Sequence, residues 1–289
     1  MLVPPFWSRH TYTHRTPEGD ECTRSALGWS EVSKADADKM AAERARRFAT
    51  AAIQDHSADA YYSSVAIREP LPQSITSPNG RTIALVTRNR YGCRVLNTDC
   101  VLFADIDLTP TSAAHPGGLV SRIFSWFWPG GRPVSISPAQ EAQVLERLSH
   151  WHQQTGIAAR VYRTFAGLRL MVVDREFNPT DPATTDILKT LNTDPLYVQL
   201  TRRQECFRAR LTPKPWRIKV KTPWYRSAID NPEYLPELSK WAIPYEQKAT
   251  NFAVCRLTLS LGTPAPDPTI QAIIQLHDSY RLNGDSPLA

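Results

Sequence analysis

Residues 101–108 read VLFADIDL, an apolar run interrupted by two carboxylates, Asp105 and Asp107. The residues around them favour a β-strand, and side chains alternate along a strand, so both aspartates are expected on one face. Two like charges there need a cation, a bound metal or a water-filled cleft to stay ionised. A divalent ion, Mg²⁺ or Mn²⁺, suits such oxygen ligands. The alternative is a strand end whose aspartates accept backbone hydrogen bonds in the turn that follows.

Other β-rich runs and helical patterns lie on both sides of this strand. We expect strands at residues 82–87, 94–96, 100–108, 158–164, 168–174 and 252–261, the first three forming a meander. Helices are predicted from Ser33 to near Gln54, from Ser137 to a C-cap at Gly156, and after Asp181 and Asp267. Because these elements mix without regular βαβ alternation, the expected fold class is α+β.

The composition is that of a globular protein with one core and appendages: 42% of the 289 residues are hydrophobic and 21% are charged. We expect an irregular arm over residues 1–30 and a helix within an N-terminal part (1–80). A core (81–225) and a C-terminal strand and helix extension (226–289) follow, with a long connection at 110–133. Five cysteines without a C-x-x-C pair indicate reduced thiols. Without a signal peptide or a run of roughly 18 apolar residues, a cytoplasmic protein that does not span a membrane is expected.

Positive charge is concentrated in one segment of the chain. The formal net charge is +6, yet residues 202–221 alone hold eight basic residues against one acid, a net +7. Arg208, Arg210 and Lys214 would project from one face of a strand, and Phe207, Trp216, Trp224 and Tyr225 are interleaved with the basic residues or follow them. This pattern favours a phosphate backbone with stacked bases, and the alternative is a solvated edge strand.

The order of these segments resembles the archaeo-eukaryotic primase (primase-polymerase) superfamily over roughly residues 102–217. That family has an acidic pair on a strand, a hydroxyl, glycine and histidine motif in a hairpin, a third acid that opens another strand, and a basic segment. The corresponding residues are Asp105 with Asp107, Thr164-Phe-Ala-Gly167-Leu-Arg169, Asp194 with Asp174 as its competitor, and Cys206 to Lys214. The resemblance implies a core with an RNA-recognition-like mixed or antiparallel sheet flanked by helices.

The same resemblance implies two-metal nucleotidyl transfer. Asp105, Asp107 and Asp194 would be the catalytic metal ligands for Mg²⁺ or Mn²⁺. Nucleoside triphosphates and single-stranded or primed nucleic acid would be the partners, bound by Thr164, Arg169, Arg208, Arg210 and Lys214. Arg169 stands where the family has histidine. Arginine can hold a phosphate, but it cannot transfer protons near neutral pH.

Two main functions therefore follow as hypotheses. The first is a divergent primase-polymerase-like nucleotidyltransferase, and the second is a catalytically inactive nucleic-acid-binding module on the same fold. A GGDEF-like palm also uses paired acids on a strand, but its signature does not follow here. P-loop, Rossmann and α/β-hydrolase signatures are absent too. His150 and His152 do not make a metal pair on a helix, and His277-Asp278 is expected to be structural.

Overall fold

The structure, a computed structural model of the chain, describes residues 1, 4–15, 19, 21–51, 69, 73–77, 79–108, 137–223, 235–280 and 286–289. It divides into two compact units, Met1–Pro70 with Ser227–Pro236 and Leu71–Arg226 with Glu237–Ala289. Helices and antiparallel sheets are both present, which confirms the α+β class. None of the described helices is long and apolar enough to cross a membrane.

The first unit contains a β-hairpin covered by one helix. Strands β1 (Phe6–Arg15) and β2 (Glu21–Ser30) pair antiparallel, and helix α1 (Lys34–Ala51) packs on both. The helix places a fully buried alanine at every fourth position: Ala37, Ala41, Ala45 and Ala49. A Cβ at Gly28 would lie 2.2 Å from the carbonyl oxygen of Ala37, so this close approach of helix and strand requires glycine.

The prediction of an irregular arm over residues 1–30 is wrong, because these residues form the hairpin. From Arg9 onward, the side chains of β1 are exposed or half-buried on both faces. The alternation of polar and apolar residues that marks a strand is therefore missing from this part of the sequence. Pairing with β2 and packing against α1 stabilise strands that local pattern does not predict.

The rest of the chain contains two four-stranded sheets and five described helices. The strands are β3 (Gln73–Thr76), β4 (Thr82–Arg88), β5 (Arg94–Thr98), β6 (Phe103–Asp107), β7 (Ala159–Thr164), β8 (Gly167–Val172), β9 (Phe207–Arg210) and β10 (Cys255–Leu261). The helices are α2 (Pro138–Thr155), α3 (Pro182–Thr190), α4 (Pro195–Gln204), α5 (Leu235–Ala249) and α6 (Pro268–Ser279). The strand orders are β10-β7-β8-β6 and β3-β4-β5-β9, and all neighbouring strands are antiparallel.

The six predicted strands are confirmed as β4, β5, β6, β7, β8 and β10, but the predicted meander is wrong. Strand β4 pairs with β5, whereas β6 lies in the other sheet and pairs with β8. Because the apolar residues of β5 and β6 are buried on both faces of each strand, their sequences do not indicate which neighbour each strand takes. The predicted C-terminal strand β10 lies in the same sheet as β6, at its opposite edge.

The predicted helix boundaries at Ser137, Gly156, Asp181 and Asp267 are confirmed. Helix α2 ends at Gly156, whose φ of 67° is left-handed and whose N–H donates to the carbonyl of His152 at 2.8 Å. The carboxylates of Asp181 and Asp267 accept hydrogen bonds from the first backbone N–H groups of α3 and α6. The 110–133 connection and residues 52–54, where α1 was expected to end, lie outside the described residues.

One continuous apolar core joins the two sheets of the second unit. Its fully buried members include Phe103, Tyr162, Leu170, Phe207 and Ile273. Strand β6 of one sheet contacts β9 of the other across this core. The acidic strand and the basic segment, which are about a hundred residues apart in the sequence, therefore lie next to each other.

Candidate functional site

Asp105 and Asp107 lie on one face of β6, as the spacing of two predicts, but their surroundings differ. The Asp105 side chain is half-buried, and its Oδ1 accepts a hydrogen bond from Arg169 Nε at 2.9 Å. Arg169 is directly opposite Asp105 on the neighbouring strand β8. Asp107, at the end of the strand, is exposed and lies opposite Gly167. A Cβ at Gly167 would lie 2.1 Å from the Ile106 carbonyl oxygen, which accounts for glycine in this motif.

Arg169 connects the two sheets. The residue is 2% exposed, and besides Asp105 its guanidinium binds the carbonyl oxygen of Arg210, through Nη1 at 2.9 Å. Burial lowers the pKa of Arg169, but the charge and hydrogen bond of Asp105 more than offset this, and the net shift is upward. Two donor groups of the Arg169 guanidinium are therefore bonded to the protein itself, although the resemblance implies that this residue binds a triphosphate.

Asp194 does not open a strand, so that expectation is wrong. It is the N-cap of α4, where its Oδ1 accepts a hydrogen bond from the N–H of Leu196 at 3.0 Å. Asp followed by Pro195 is a strong helix start, because the carboxylate binds the first free N–H groups and proline is tolerated at the first position. The backbone N–H of Asp194 also donates to the Asp105 carbonyl at 3.3 Å, which places this turn beside the acidic strand.

The competitor Asp174 lies after β8. Its carboxylate accepts hydrogen bonds from the N–H of Ala158 at 3.0 Å and from Arg175. Burial raises the pKa of Asp174, but these hydrogen bonds outweigh it and hold the pKa below its usual value. These contacts tie the carboxylate to the start of the β7 strand region, and they are structural.

The described residues include no group of three or more His, Cys, Asp or Glu side chains arranged to hold a metal ion. The predicted set Asp105, Asp107 and Asp194 is therefore not assembled as a three-carboxylate site. One oxygen of Asp105 binds Arg169 and one oxygen of Asp194 binds its own helix. These residues do not fit the predicted metal site as they stand, and Mg²⁺ or Mn²⁺ remains a prediction.

Three basic side chains converge near the acidic strand: Arg210 from β9, and Lys214 and Arg217 around the 3-10 turn Pro215–Ile218. We call Arg210, Lys214 and Arg217 the cationic cluster. Lys214 is 8% exposed. Burial, and then the positive charges of Arg210 and Arg217, lower the pKa of Lys214 to about 6. Burial and the charge of Arg210 also lower the pKa of Arg217, to about 9.

Arg210 is half-buried as a residue. Its Nε is buried and has no hydrogen-bond partner among the described residues. Burial lowers the pKa of Arg210, and the charge of Arg169 lowers it further. The nearby Cys93 thiol has its pKa raised by burial, so it stays protonated at neutral pH and supplies no negative charge. Asp107 is the carboxylate that acts on both Lys214 and Arg217.

Aromatic rings lie against these cations. Lys214 Nζ is 5.4 Å from the centre of the Trp216 ring, and the Arg217 guanidinium is 4.0 Å from that of Phe165. Tyr91 meets the Trp216 ring edge-on at 5.3 Å. All three rings are half-buried, so each keeps part of its surface accessible. Cations over aromatic faces are stabilised electrostatically, which is one way to accommodate a buried charge.

The remaining predicted binding residues are placed less centrally. Arg208 and Arg210 are two residues apart on β9, as expected, and Arg208 Nη1 donates to Gln204 at 3.2 Å. Lys214 does not continue this strand, so the expectation that it shares the strand face is wrong. Thr164 is half-buried at the end of β7 and pairs with Cys255.

One predicted base-stacking position is closed to a ligand, and two others are not described. Phe207 is fully buried in the core, and so it does not offer a ring to a ligand. Trp224 and Tyr225 lie outside the described residues. Sequence reasoning counted Arg217 in the basic segment but did not assign it to the site, and it missed Phe165 and Tyr91. Since side chains three residues apart eclipse in a 3-10 helix, the spacing of Lys214 and Arg217 around Pro215 is the signal that could have indicated Arg217.

A second polar network is buried on the same sheet, beneath α6. Asp278 accepts hydrogen bonds from Tyr162 at 2.8 Å and Arg160 at 2.7 Å, and its Oδ1 is 3.1 Å from Nδ1 of His277. Burial lowers the pKa of His277, so its ring is neutral at pH 7. The structural interpretation of His277-Asp278 agrees with this burial. The two side chains do meet, however, although neighbours on a helix were expected to diverge.

No protein-family model, curated protein or solved structure matches this chain. Function is therefore inferred from the residues of the site.

Proposed function

We propose that this chain binds a phosphorylated ligand, and specifically single-stranded nucleic acid, at the cationic cluster. The observation that carries the proposal is the convergence of Arg210, Lys214 and Arg217: Lys214 is 8% exposed, the two arginines are half-buried, and Arg210 acts on both other cations. Holding like charges together away from water is costly, and the low pKa values of Lys214 and Arg217 express that cost. A bound anion removes it.

Two further features favour nucleic acid over a small inorganic anion. Exposed basic side chains extend the positive surface beyond the cluster, namely Arg202, Arg203, Lys219 and Lys221. Half-buried rings of Trp216, Phe165 and Tyr91 lie beside the charges. Proteins that bind single strands combine a positive surface with rings on which unpaired bases stack.

This function does not require a divalent ion. The basic groups are on the chain itself, and Asp105, the better enclosed of the two aspartates, already pairs with Arg169. Binding should therefore persist when divalent ions are chelated, and it should weaken steeply with salt, because phosphate contacts release counterions from the nucleic acid.

The test is a titration of a fluorescently labelled single strand, DNA and RNA in turn, followed by anisotropy over a range of salt concentrations with a chelator present. Arg217→Gln should weaken binding and reduce the slope of log affinity against log salt by about 0.7, the value for one lost phosphate contact on a single strand. Arg256→Gln is the matched control, because Arg256 is exposed on β10 and donates to the carbonyl of Ser286. Binding that is absent, or equally reduced in both variants, would exclude this surface.

Metal-dependent nucleotidyl transfer is the second candidate. It is favoured by Asp105 and Asp107 on one strand face, with the Asp194 turn bonded to the Asp105 backbone and the cationic cluster next to them. The test is incorporation of labelled nucleoside triphosphates on primed and unprimed single strands with Mg²⁺ or Mn²⁺. Incorporation that is lost in Asp105→Ala and Asp107→Ala would support it. Binding that needs no metal, with no incorporation of nucleotides, would contradict nucleotidyl transfer and support single-strand binding.

A further inference from the structure

We propose that the side-chain amine of Lys214 acts as a nucleophile and forms an imine with a phosphorylated aldehyde. The aldehyde can belong to an abasic nucleotide within a single strand or to a free small molecule, because both present a carbonyl group close to a phosphate. This inference rests on the proposed function, since the arginines of the cationic cluster would hold the phosphate while the amine attacks the carbonyl carbon.

The first argument is the position of the amine. Lys214 is 8% exposed, and its Nζ lies 5.4 Å from the centre of the Trp216 ring. The N–H of Arg217 donates to the Lys214 carbonyl at 2.9 Å, which fixes the turn that brings these two basic side chains together. An amine that is buried beside other cations favours its neutral form, because the ammonium ion would lose hydration and be repelled. The neutral form has the lone pair that attack on a carbonyl requires.

The pKa of Lys214 agrees with this position. Burial lowers the pKa most, and the charges of Arg210 and Arg217 lower it further, to about 6. An ordinary lysine is neutral in roughly one molecule in a thousand at about pH 7.4. Lys214 is mainly neutral there, so its amine is ready to react. Lys219 and Lys221, which are exposed in the same segment, are natural controls.

The second argument is the fixed backbone that leads to Lys214. The Pro213 carbonyl accepts hydrogen bonds from the Tyr245 hydroxyl at 2.6 Å and from the Cys93 thiol at 3.3 Å. Tyr245 and Cys93 are both fully buried, so the main chain just before Lys214 is held within the folded unit. A reactive group in a fixed position meets the carbonyl of a bound ligand without first losing conformational freedom.

The reaction balances without a co-reactant. The lone pair of Lys214 Nζ forms a bond to the carbonyl carbon, while the π electrons of the C=O bond move to the oxygen, which takes a proton from the amine. The resulting carbinolamine loses its hydroxyl and the second amine proton as water, and a C=N bond remains. Arg210 and Arg217 take no part in these bond changes, and they would hold the phosphate throughout.

The experiment reduces the imine with sodium cyanoborohydride to a stable amine and locates the product by peptide mass spectrometry. One probe is a single strand with one abasic nucleotide, compared with the same strand carrying a tetrahydrofuran analogue that has no aldehyde. The other probe is pyridoxal 5′-phosphate, compared with pyridoxal. Near neutral pH we expect at least about tenfold more product on Lys214 than on Lys219, because an ordinary lysine is almost entirely protonated there. Product from both probes identifies phosphorylated aldehydes in general, and product from one probe identifies its source.

The pH profile and one variant separate a reactive amine from a merely accessible one. Between about pH 7 and pH 8, trapping on Lys214 should change little, whereas trapping on an ordinary exposed lysine rises about tenfold. Lys214→Met should lose the product, and Lys219→Met should retain it. Circular dichroism of both variants shows that they are folded.

The outcomes distinguish this inference from the proposed function. Equal product on Lys214 and Lys219, or wild-type amounts of product in Lys214→Met, would overturn the inference. An intact strand that binds, with neither aldehyde trapped at Lys214, would overturn the inference and leave the proposed function intact. Pyridoxal 5′-phosphate trapped at Lys214, with no binding of any strand, would overturn single-strand binding and support the inference for a small molecule.

Discussion

The network around Asp278 and the cationic cluster around Lys214 are both partly buried groups of charges in the same unit, and they are balanced differently. In the Asp278 network one carboxylate meets one arginine, Arg160, with the neutral Tyr162 and His277 supplying further hydrogen bonds. In the cationic cluster three basic groups lie together; among the described residues Asp107 acts on Lys214 and Arg217, and Asp105 acts on Arg210. Opposite charges meet in the first arrangement, whereas like charges are brought together in the second.

The direction of the pKa shifts expresses the same difference. Burial raises the pKa of Asp278, but hydrogen bonds from His277 and Tyr162 outweigh burial, so the carboxylate is held ionised. Burial lowers the pKa of Lys214, and its nearest charges lower it further. The neighbours of Asp278 stabilise its charge, whereas the positive neighbours of Lys214 destabilise the charge of its amine. The direction of the pKa shift therefore distinguishes a structural charge such as Asp278 from a binding charge such as Lys214, and variants of each residue test the distinction.

The largest effect is expected for Asp278→Asn. It removes the negative charge that pairs with Arg160 in a partly buried network, where the two side chains are 19% and 25% exposed, so the free energy of unfolding should fall by about 3 kcal/mol. Chemical unfolding followed by circular dichroism measures this loss. Asp186→Asn is the control, because Asp186 makes an exposed pair with Lys189 at 3.5 Å, and its loss should cost less than about 1 kcal/mol. Equal losses in the two variants would contradict the distinction.

Lys214→Met should have opposite effects on stability and on binding. Replacing a buried charge by an apolar side chain of similar length should raise the free energy of unfolding by about 2–4 kcal/mol in the absence of ligand. The same variant should bind single strands more weakly, because a phosphate contact is gone. Lys219→Met, at an exposed position of the same segment, should change stability little. A destabilised Lys214→Met protein would show that Lys214 is a structural charge.

The free energy of unfolding of the wild type should rise with pH between about 6 and 10.5, where the folded Lys214 has lost its proton and an unfolded lysine still carries one. The folded amine loses its proton above about pH 6, whereas the unfolded lysine keeps its proton up to its usual pKa of 10.5. Unfolding in this window takes up a proton, so stability increases by at most about 1.4 kcal/mol per pH unit. The measurement is the difference between wild type and Lys214→Met in unfolding free energy from pH 6.5 to pH 8.5, roughly the neutral range. If the difference in unfolding free energy between the two proteins does not change with pH, the lowered pKa of Lys214 is contradicted.

Much of the fold could be predicted from local sequence, and the exceptions have physical causes. The helix starts at Ser137, Asp181 and Asp267 carry cap signals that depend on a few adjacent residues, and those predictions are confirmed. Asp194 carries the same cap signal, but the family resemblance predicted that it opens a strand, and that prediction is wrong. Strand β1 lacks alternation from Arg9 onward, so its pairing with β2 and its packing against α1 reveal the hairpin.

The candidate site was predictable in its composition but not in its assembly. The basic segment and the acidic pair are evident in the sequence, because charge density and spacing are local properties. Which basic residues reach Asp107 depends on how β6 and β9 meet across the core, about a hundred residues apart in the chain. The pairing of Asp105 with Arg169 depends on strand register in the same way, and no local pattern encodes it.

The most direct test of the account is the effect of Asp107→Asn on the affinity for a phosphorylated single strand, measured with a chelator and again with Mn²⁺. If Asp107 is the residual negative charge inside an anion site, its removal should tighten binding about threefold to tenfold, up to about 1.4 kcal/mol, with or without the metal. Asp186→Asn, an exposed carboxylate on α3, should leave the affinity unchanged. Weaker binding in Asp107→Asn, with wild-type binding that depends on Mn²⁺, would contradict the account and identify Asp107 as a metal ligand.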